Sequence, residues 1–233
     1  YPQPTQGNAP MKVDLHCHTI HSPDSLTLCA DVLRWADRRG VERLAITDHN
    51  TIAGAFVLRD LAPERIIVGE EIRTSQGEII GLFLEREIAP GLTPAETARR
   101  IHEQGGLVYI PHPADRARLS SALAPQALEA ISDQVDIIEV FNARVTFALD
   151  NRVADDLAQQ HGLLRGAGSD AHQGYEIGSA YVETPPFADA AGLRLALAQG
   201  QIGGHLSFPL VHMGSTCAKL AKGLLALGLQ GRG

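Results

Sequence analysis

From Val13 onward the chain alternates short, nearly unbroken apolar runs with longer stretches whose apolar residues follow a helical period. The runs are KVDLH, RLAIT, RIIVGEEI, EIIGLFL, LVYIP, DIIEVF, LLRGAG and AYVET. Short β-branched runs separated by helical patterns predict βα units and a mostly parallel sheet. Thr93-Pro94-Ala95-Glu96 predicts a helix start, a capping box with proline at the first helical position; Ile101 then falls on the apolar face and Gly105-Gly106 ends the helix. The segment GEEIRTSQGEII predicts a local hairpin across Ser75-Gln76-Gly77. Roughly seven strand and helix pairs fit between residues 12 and 200, so a barrel or near-barrel is the natural closure. The tail from Ser215 to Leu229 predicts an amphipathic helix docked on that barrel, with an oligomer or membrane-surface contact as the alternative.

Composition narrows the class. The chain has 233 residues, 44% apolar and 20% charged, as in an ordinary α/β domain large enough to need no covalent staple. Residues 1–10 carry three prolines and no apolar period, and are expected to be a disordered leader ahead of one domain spanning 11–233. There is no run long and apolar enough for a membrane span and no secretory pattern, so a cytoplasmic location is the default expectation. Cys17, Cys29 and Cys217 form no CxxC pair, which fits a reducing compartment. A formal charge of -7 argues against a surface built to wrap long nucleic acid, while small anionic substrates stay compatible if bound cations invert the local sign.

The chemistry-bearing residues sit at the ends of the predicted strands. His16 and His18 follow KVDL at spacing two, so both imidazoles project from one face of an extended chain, as a shared metal requires. Asp48-His49 closes RLAIT, Glu70-Glu71 lies late in RIIVGEEI, His112 follows LVYIP, Asn142 ends DIIEVF, and Asp170 and His172 follow LLRGAG. In a βα barrel the carboxyl ends of the strands form the active-site face, so these motifs should converge. Taken singly, a terminal histidine is as readily a satisfied buried imidazole, and Asp48 or Asp170 a helix cap. Repetition on one rim favours ligation, whereas His102 and His161 lie in helical patterns, His205 and His212 lie near the tail, and His21 has no clear strand position. Imidazole and carboxylate donors without thiolate suit Zn²⁺, Mn²⁺ or Fe²⁺, with Mg²⁺ as a further option. Two ions about 3.5–4 Å apart clamp the attacking and leaving oxygens of phosphoryl transfer, and a bound water ionises near pH 7. No GxSxG elbow or phosphate-binding P-loop offers another chemistry.

The set DLHCHT with downstream SPDS, then ITDHN, GEEI, IPHP, IEVFNAR, and GSDAH close to EIG, resembles the PHP (polymerase and histidinol phosphatase) family in motif order across residues 12 to 183. The resemblance implies a distorted (β/α)₇ TIM-like barrel and a di- or trinuclear site that hydrolyses phosphoesters through a metal-bound hydroxide. It implies one ion on His16, His18, Glu71 and Asp170, a second on Glu71 and His112, and a third on Asp24, His49 and His172. Many relatives have a histidine where this chain has Glu78; Glu78 or Asn142 is expected to complete the second ion. Arg116 and Arg144 are expected to grip phosphate oxygens, and His172 or Asp48 to shuttle the leaving-group proton, with Asp48 alternatively orienting His49. The expected substrates are small phosphomonoesters, nucleotides or oligonucleotide ends. Only 26 residues separate His112 from Glu139, too few for a substrate-capping domain. Two other readings stay open: an amidohydrolase-type metal hydrolase, disfavoured because no lysine sits on the predicted rim, and a non-catalytic metal-binding module.

Overall fold

The computed structural model describes residues 9–118, 120–208 and 211–230. The first eight residues of the expected leader lie outside the described residues. Among the described residues nine strands are present: β1 (Met11–Cys17), β2 (Arg43–Ile46), β3 (Ile66–Thr74), β4 (Gly77–Leu82), β5 (Leu107–Ile110), β6 (Ile137–Asn142), β7 (Leu164–Gly168), β8 (Ala180–Thr184) and β9 (Gln201–Gly204). They form one sheet in the order β7-β6-β5-β4-β3-β2-β1-β8-β9. The helices are α1 (Cys29–Arg39), α2 (Ala53–Leu61), α3 (Pro94–His102), α4 (Pro125–Ala130), α5 (Ala148–His161), α6 (Ala190–Leu197) and α7 (Val211–Gln230).

The apolar runs become strands because both faces of the sheet are buried. Leu44 and Ile46 of β2, with Ile66 and Val68 of β3, pack outward under the helices, while Ala45 and Ile67 join a second apolar layer with Tyr109 and Ile137. Strands covered on both faces read as continuous hydrophobic sequence. The sheet curls into a nearly closed barrel. Its seam joins the end of β1 to the turn after β7: the Asp170 N–H donates to the His16 carbonyl (2.7 Å) and the His18 N–H to the Ala171 carbonyl (2.9 Å).

Three features depart from simple βα alternation. The expected hairpin forms β3 and β4, so β4 runs antiparallel between β3 and β5 and brings its amino end to the rim. After β7 there is no helix but a short turn at Gly174–Glu176, and β8 returns antiparallel beside β1. The short strand β9, with Gly203 and Gly204, carries too little apolar pattern to be read from sequence. At α3, Thr93 accepts a hydrogen bond from the Glu96 N–H (3.2 Å) as expected, but the Glu96 carboxylate turns to Arg99 and Arg100, so only half of the capping box forms.

Gly168 makes the seam possible. A Cβ there would lie 2.2 Å from the His16 Cβ and 2.6 Å from a Glu139 carboxylate oxygen. Gly168→Ala is therefore expected to lower stability by about 1–3 kcal/mol through overpacking, read as a depressed midpoint in denaturant; an unchanged midpoint would show that the seam yields freely.

Candidate metal centre

The seam and neighbouring strand ends set nine candidate donors together. His16 ends β1, Glu71 lies in β3, Glu78 opens β4, His112 follows β5, and Asp170 follows β7. Backbone strain helps aim them: Asp170 has φ 53° and His112 φ 32°, in a region that non-glycine residues seldom occupy. The His49 segment forms an isolated parallel bridge with Glu71, which carries the sheet pairing out to the rim.

The tightest group is His16, His18, Glu71 and Asp170. The two Nε2 atoms face each other at 3.1 Å. Both lie near Glu71 Oε2 (3.5 and 3.4 Å) and Asp170 Oδ1 (3.7 and 3.5 Å). Donors about 2.1 Å from a tetrahedral ion stand roughly 3.4 Å apart, which is the spacing among His16, His18 and Glu71, with Asp170 at similar distances from both rings. Each ring is held from behind. His16 Nδ1 lies 3.0 Å from Glu139 Oε1, and His18 Nδ1 lies 2.9 Å from Ser22 Oγ. Glu139 is fully buried and also accepts from the Tyr109 hydroxyl (2.9 Å), the His112 N–H (2.7 Å) and the Asn142 amide (2.9 Å). A carboxylate behind an imidazole fixes the tautomer and leaves Nε2 as the donor atom.

A second group gathers at Asp24. Its Oδ2 lies 3.3 Å from His49 Nε2, and its Oδ1 lies 3.3 Å from His172 Nε2, with His18 in the same cluster. Between the groups, Glu71 reaches His49 Nδ1 (3.1 Å) and His112 Nε2 (3.2 Å), and Glu78 joins Glu71 and His49. Asp24 Oδ1 and His112 Nδ1 are buried yet make no hydrogen bond. Orphaned buried donors and acceptors of these types, crowded at ligand spacing, fit divalent cations.

The electrostatics agree. Burial works against ionising Asp170, but Arg118 and His16 outweigh it and hold the carboxyl well below its usual range. Burial likewise opposes ionisation of Glu71, and His49 and His16 overcome it. Burial also disfavours the charged form of His49, yet Glu71 and Asp24 raise it to about 9. Burial and the adjacent Glu71 push Glu78 up to about 7. Burial, with His18 alongside, drops His172 to about 3, leaving a neutral imidazole.

Four expected site residues are engaged elsewhere. Asn142 donates to Glu139 and Asp170 (3.3 Å) while its Oδ1 accepts the Arg144 N–H (2.8 Å), so it braces the carboxylates and its oxygen is taken. Arg116 pairs with Asp150 (2.8 Å) and lies over Phe147, facing a neighbouring groove. Arg144 is buried against Glu176 (3.2 Å) and donates to Ser215 Oγ of α7 (2.7 Å). Both Asp48 oxygens accept from Thr19 (2.6 and 2.7 Å), so Asp48 fixes the turn after β1 and leaves His49 to others.

Four residues that the sequence did not single out for roles take part. Arg118, in the same HPADRAR segment, donates to Asp170 Oδ2 (2.5 Å) and lines the cavity; a second arginine in the motif was the available signal. Glu139 and Ser22 orient the paired histidines; they fall inside the IEVFNAR and SPDS motifs, but neither motif tells which histidine each will face. Lys219 also reaches the rim, 3.2 Å from Asp24 Oδ2, which corrects the expectation that no lysine does. It arrives from α7, whose docking no strand pattern reveals.

A family model described as PHP-associated matches residues 148–202, from α5 through β9. An uncharacterised protein of Methanocaldococcus jannaschii is 40% identical over 157 residues, spanning 62% of this chain and 89% of that protein. The chain belongs to the PHP family. A phosphoribosyl 1,2-cyclic phosphate 1,2-diphosphodiesterase of Eggerthella lenta is 34% identical over 139 residues, half of this chain and 52% of that enzyme. Among solved structures, a two-domain protein from Bacteroides vulgatus containing a predicted PHP-like metal-dependent phosphoesterase superposes with a TM-score of 0.64 at 18% identity, covering 88% of this chain and 68% of that one. That likeness bears on the PHP barrel fold.

Divalent ions bind deprotonated donors, so an ion held by His16, His49 or Glu78 would displace the proton that each carries. Glu78 is raised to about 7, His49 to about 9 and His16 well above its ordinary value, so metal affinity should climb from about pH 7 through about pH 9. Calorimetric titration of Mn²⁺ in buffers of differing ionisation enthalpy checks this; a pH-independent affinity with no proton release would contradict it.

Proposed function

We propose that the protein is a metal-dependent phosphoesterase that hydrolyses small phosphorylated substrates at a site of two or three divalent ions. The observation that carries the reading is the convergence of His16, His18, Glu71 and Asp170 at ligand spacing beside a cavity-lining arginine, Arg118. In this reading His16, His18, Glu71 and Asp170 hold one ion. Glu71, His112 and Glu78 serve a second, and Asp24, His49 and His172 a third. Zn²⁺, Mn²⁺ and Fe²⁺ suit the donors. When bound, such ions lower the pKa of water and offset charge on phosphoryl oxygens.

The chain's own groups then bind and orient. Glu139 keeps His16 in one tautomer, and Ser22 does the same for His18. Arg118 is the proposed phosphate-gripping side chain in place of Arg116: it borders the cavity, and a guanidinium matches two phosphate oxygens. His172, neutral at working pH, stays available as a donor to metal. The domain is proposed to span residues 11–233, with the rim open to a small ester or the end of a strand. The name of the Eggerthella lenta relative brings cyclic phosphodiesters into the substrate range.

An amidohydrolase-type reaction gains no support from Lys219. Its side chain is 59% exposed and touches one candidate donor from outside, unlike a buried lysine bridging two ions.

The test is phosphate release, and ring opening of a cyclic phosphodiester, by Mn²⁺-reconstituted protein across phosphomonoesters, nucleotides and 5′-phosphorylated oligonucleotides. Asp170→Asn should cut turnover by at least about a hundredfold with the fold intact by circular dichroism. Full activity in that variant would overturn the assignment. Arg118→Met should lower kcat/KM by about ten- to a hundredfold, the worth of a charge-assisted hydrogen bond, whereas Arg116→Met should change it little; the reverse ranking would return the phosphate to Arg116.

A further inference from the structure

The cavity beside the metal centre, about 390 Å³, is lined by four cations, of which Arg144 lies on Glu176 and the other three share one pairing pattern. Arg118 lies on Asp170 (2.5 Å), Arg73 on Glu78 (3.2 Å), and Lys219 on Asp24 (3.2 Å). Each of these three therefore sits on a carboxylate proposed as a metal ligand. They come from three parts of the fold: the β3–β4 hairpin, the loop after β5, and α7. Lys219 is the one that no strand-end motif accounts for.

Helix α7 is fixed against the cavity on either side of Lys219. Ser215 accepts from Arg144, Ala218 is fully buried, and Lys222 donates to the carbonyls of Ile20 (2.6 Å) and Ser22, in the turn that leads to Asp24. The backbone of α7 is thus held, while the Lys219 side chain, 59% exposed on a flexible four-carbon stem, can turn. A divalent ion on Asp24 would neutralise the carboxylate and repel the ammonium beside it. Turned away from Asp24, the ammonium still borders the cavity and can meet an anion that substrate brings into it.

We propose that Lys219 is a substrate-anion residue that changes partners: it rests on Asp24 until divalent ions take that carboxylate, and then binds an anionic oxygen of the bound phosphoester. This deepens the phosphoesterase reading and rests on it. It makes α7 one wall of the substrate site, and it favours substrates carrying anionic oxygens toward α7 over those presenting a neutral face there.

Two titrations test it, Mn²⁺ into metal-free protein and inorganic phosphate into Mn²⁺-loaded protein, each with wild type, Lys219→Met and Lys219→Arg. Lys219→Met should bind Mn²⁺ more tightly, by up to about fivefold, because an exposed ion pair no longer competes. The same variant should bind phosphate about five- to tenfold more weakly, and Lys219→Arg should recover most of that loss. A structural prop would behave otherwise: weakening of both ligands in Lys219→Met would mean that Lys219 only supports α7, and would overturn the proposal. Unchanged Mn²⁺ affinity or unchanged phosphate affinity would overturn it as well, and the phosphoesterase reading would survive. If wild type binds no Mn²⁺, the phosphoesterase reading itself fails.

Discussion

Two backbone hydrogen bonds, from Asp170 to His16 and from His18 to Ala171, close the barrel and in the same act set three candidate donors side by side. Closure depends on a glycine at 168, since any side chain there would meet His16. It is reinforced by Asp14, fully buried, which accepts from the N–H groups of Ser169 and Gly178 (both 2.9 Å) and so ties the turn after β7 to the first strand. Fold and site are thus not separable layers, because the seam belongs to both.

The mouth of the barrel concentrates acids and imidazoles that would be costly to bury singly. Asp24, Glu71, Glu78 and Asp170 crowd together with five histidines, and side-chain cations cover three of the four carboxylates. Glu71 has no such paired cation and is flanked by imidazoles, and it is the chief charge drawing His49 toward its charged form; His16 is drawn the same way by Asp170 first, then Glu139 and Glu71. Its most crowded atoms, the facing Nε2 pair and the buried Asp24 Oδ1, are the ones ions would relieve.

Much of this was legible in the sequence for one physical reason: strands buried on both faces leave unbroken apolar runs, and polar residues at the ends of those runs stand out. The eight runs all became strands, and the DLHCHT, ITDHN, GEEI, IPHP and GSDAH motifs meet on one rim. What stayed hidden depends on tertiary choice. Arg116 and Arg118 are two residues apart in a loop without period, and only packing decides that one faces Asp150 and the other Asp170. Glu139 sits within an apolar run, where one acid looks like an interruption until its four donors are seen. Asn142 and Arg144 occupy the expected strand end, but neighbouring polar groups consume their bonding capacity.

The seam joins residues 152 to 155 positions apart in the chain, and the Lys222 contact with Ile20 spans 202. Contacts of such separation carry a large loop-closure cost and form late in folding. During synthesis, the paired histidines of the first strand must therefore wait, unpartnered, until nearly the whole barrel has been made. A cation arriving early would meet isolated imidazoles and bind them weakly. On the proposed ligand set, one arriving after closure would meet its donors already gathered, so metal capture would report that the seam has closed.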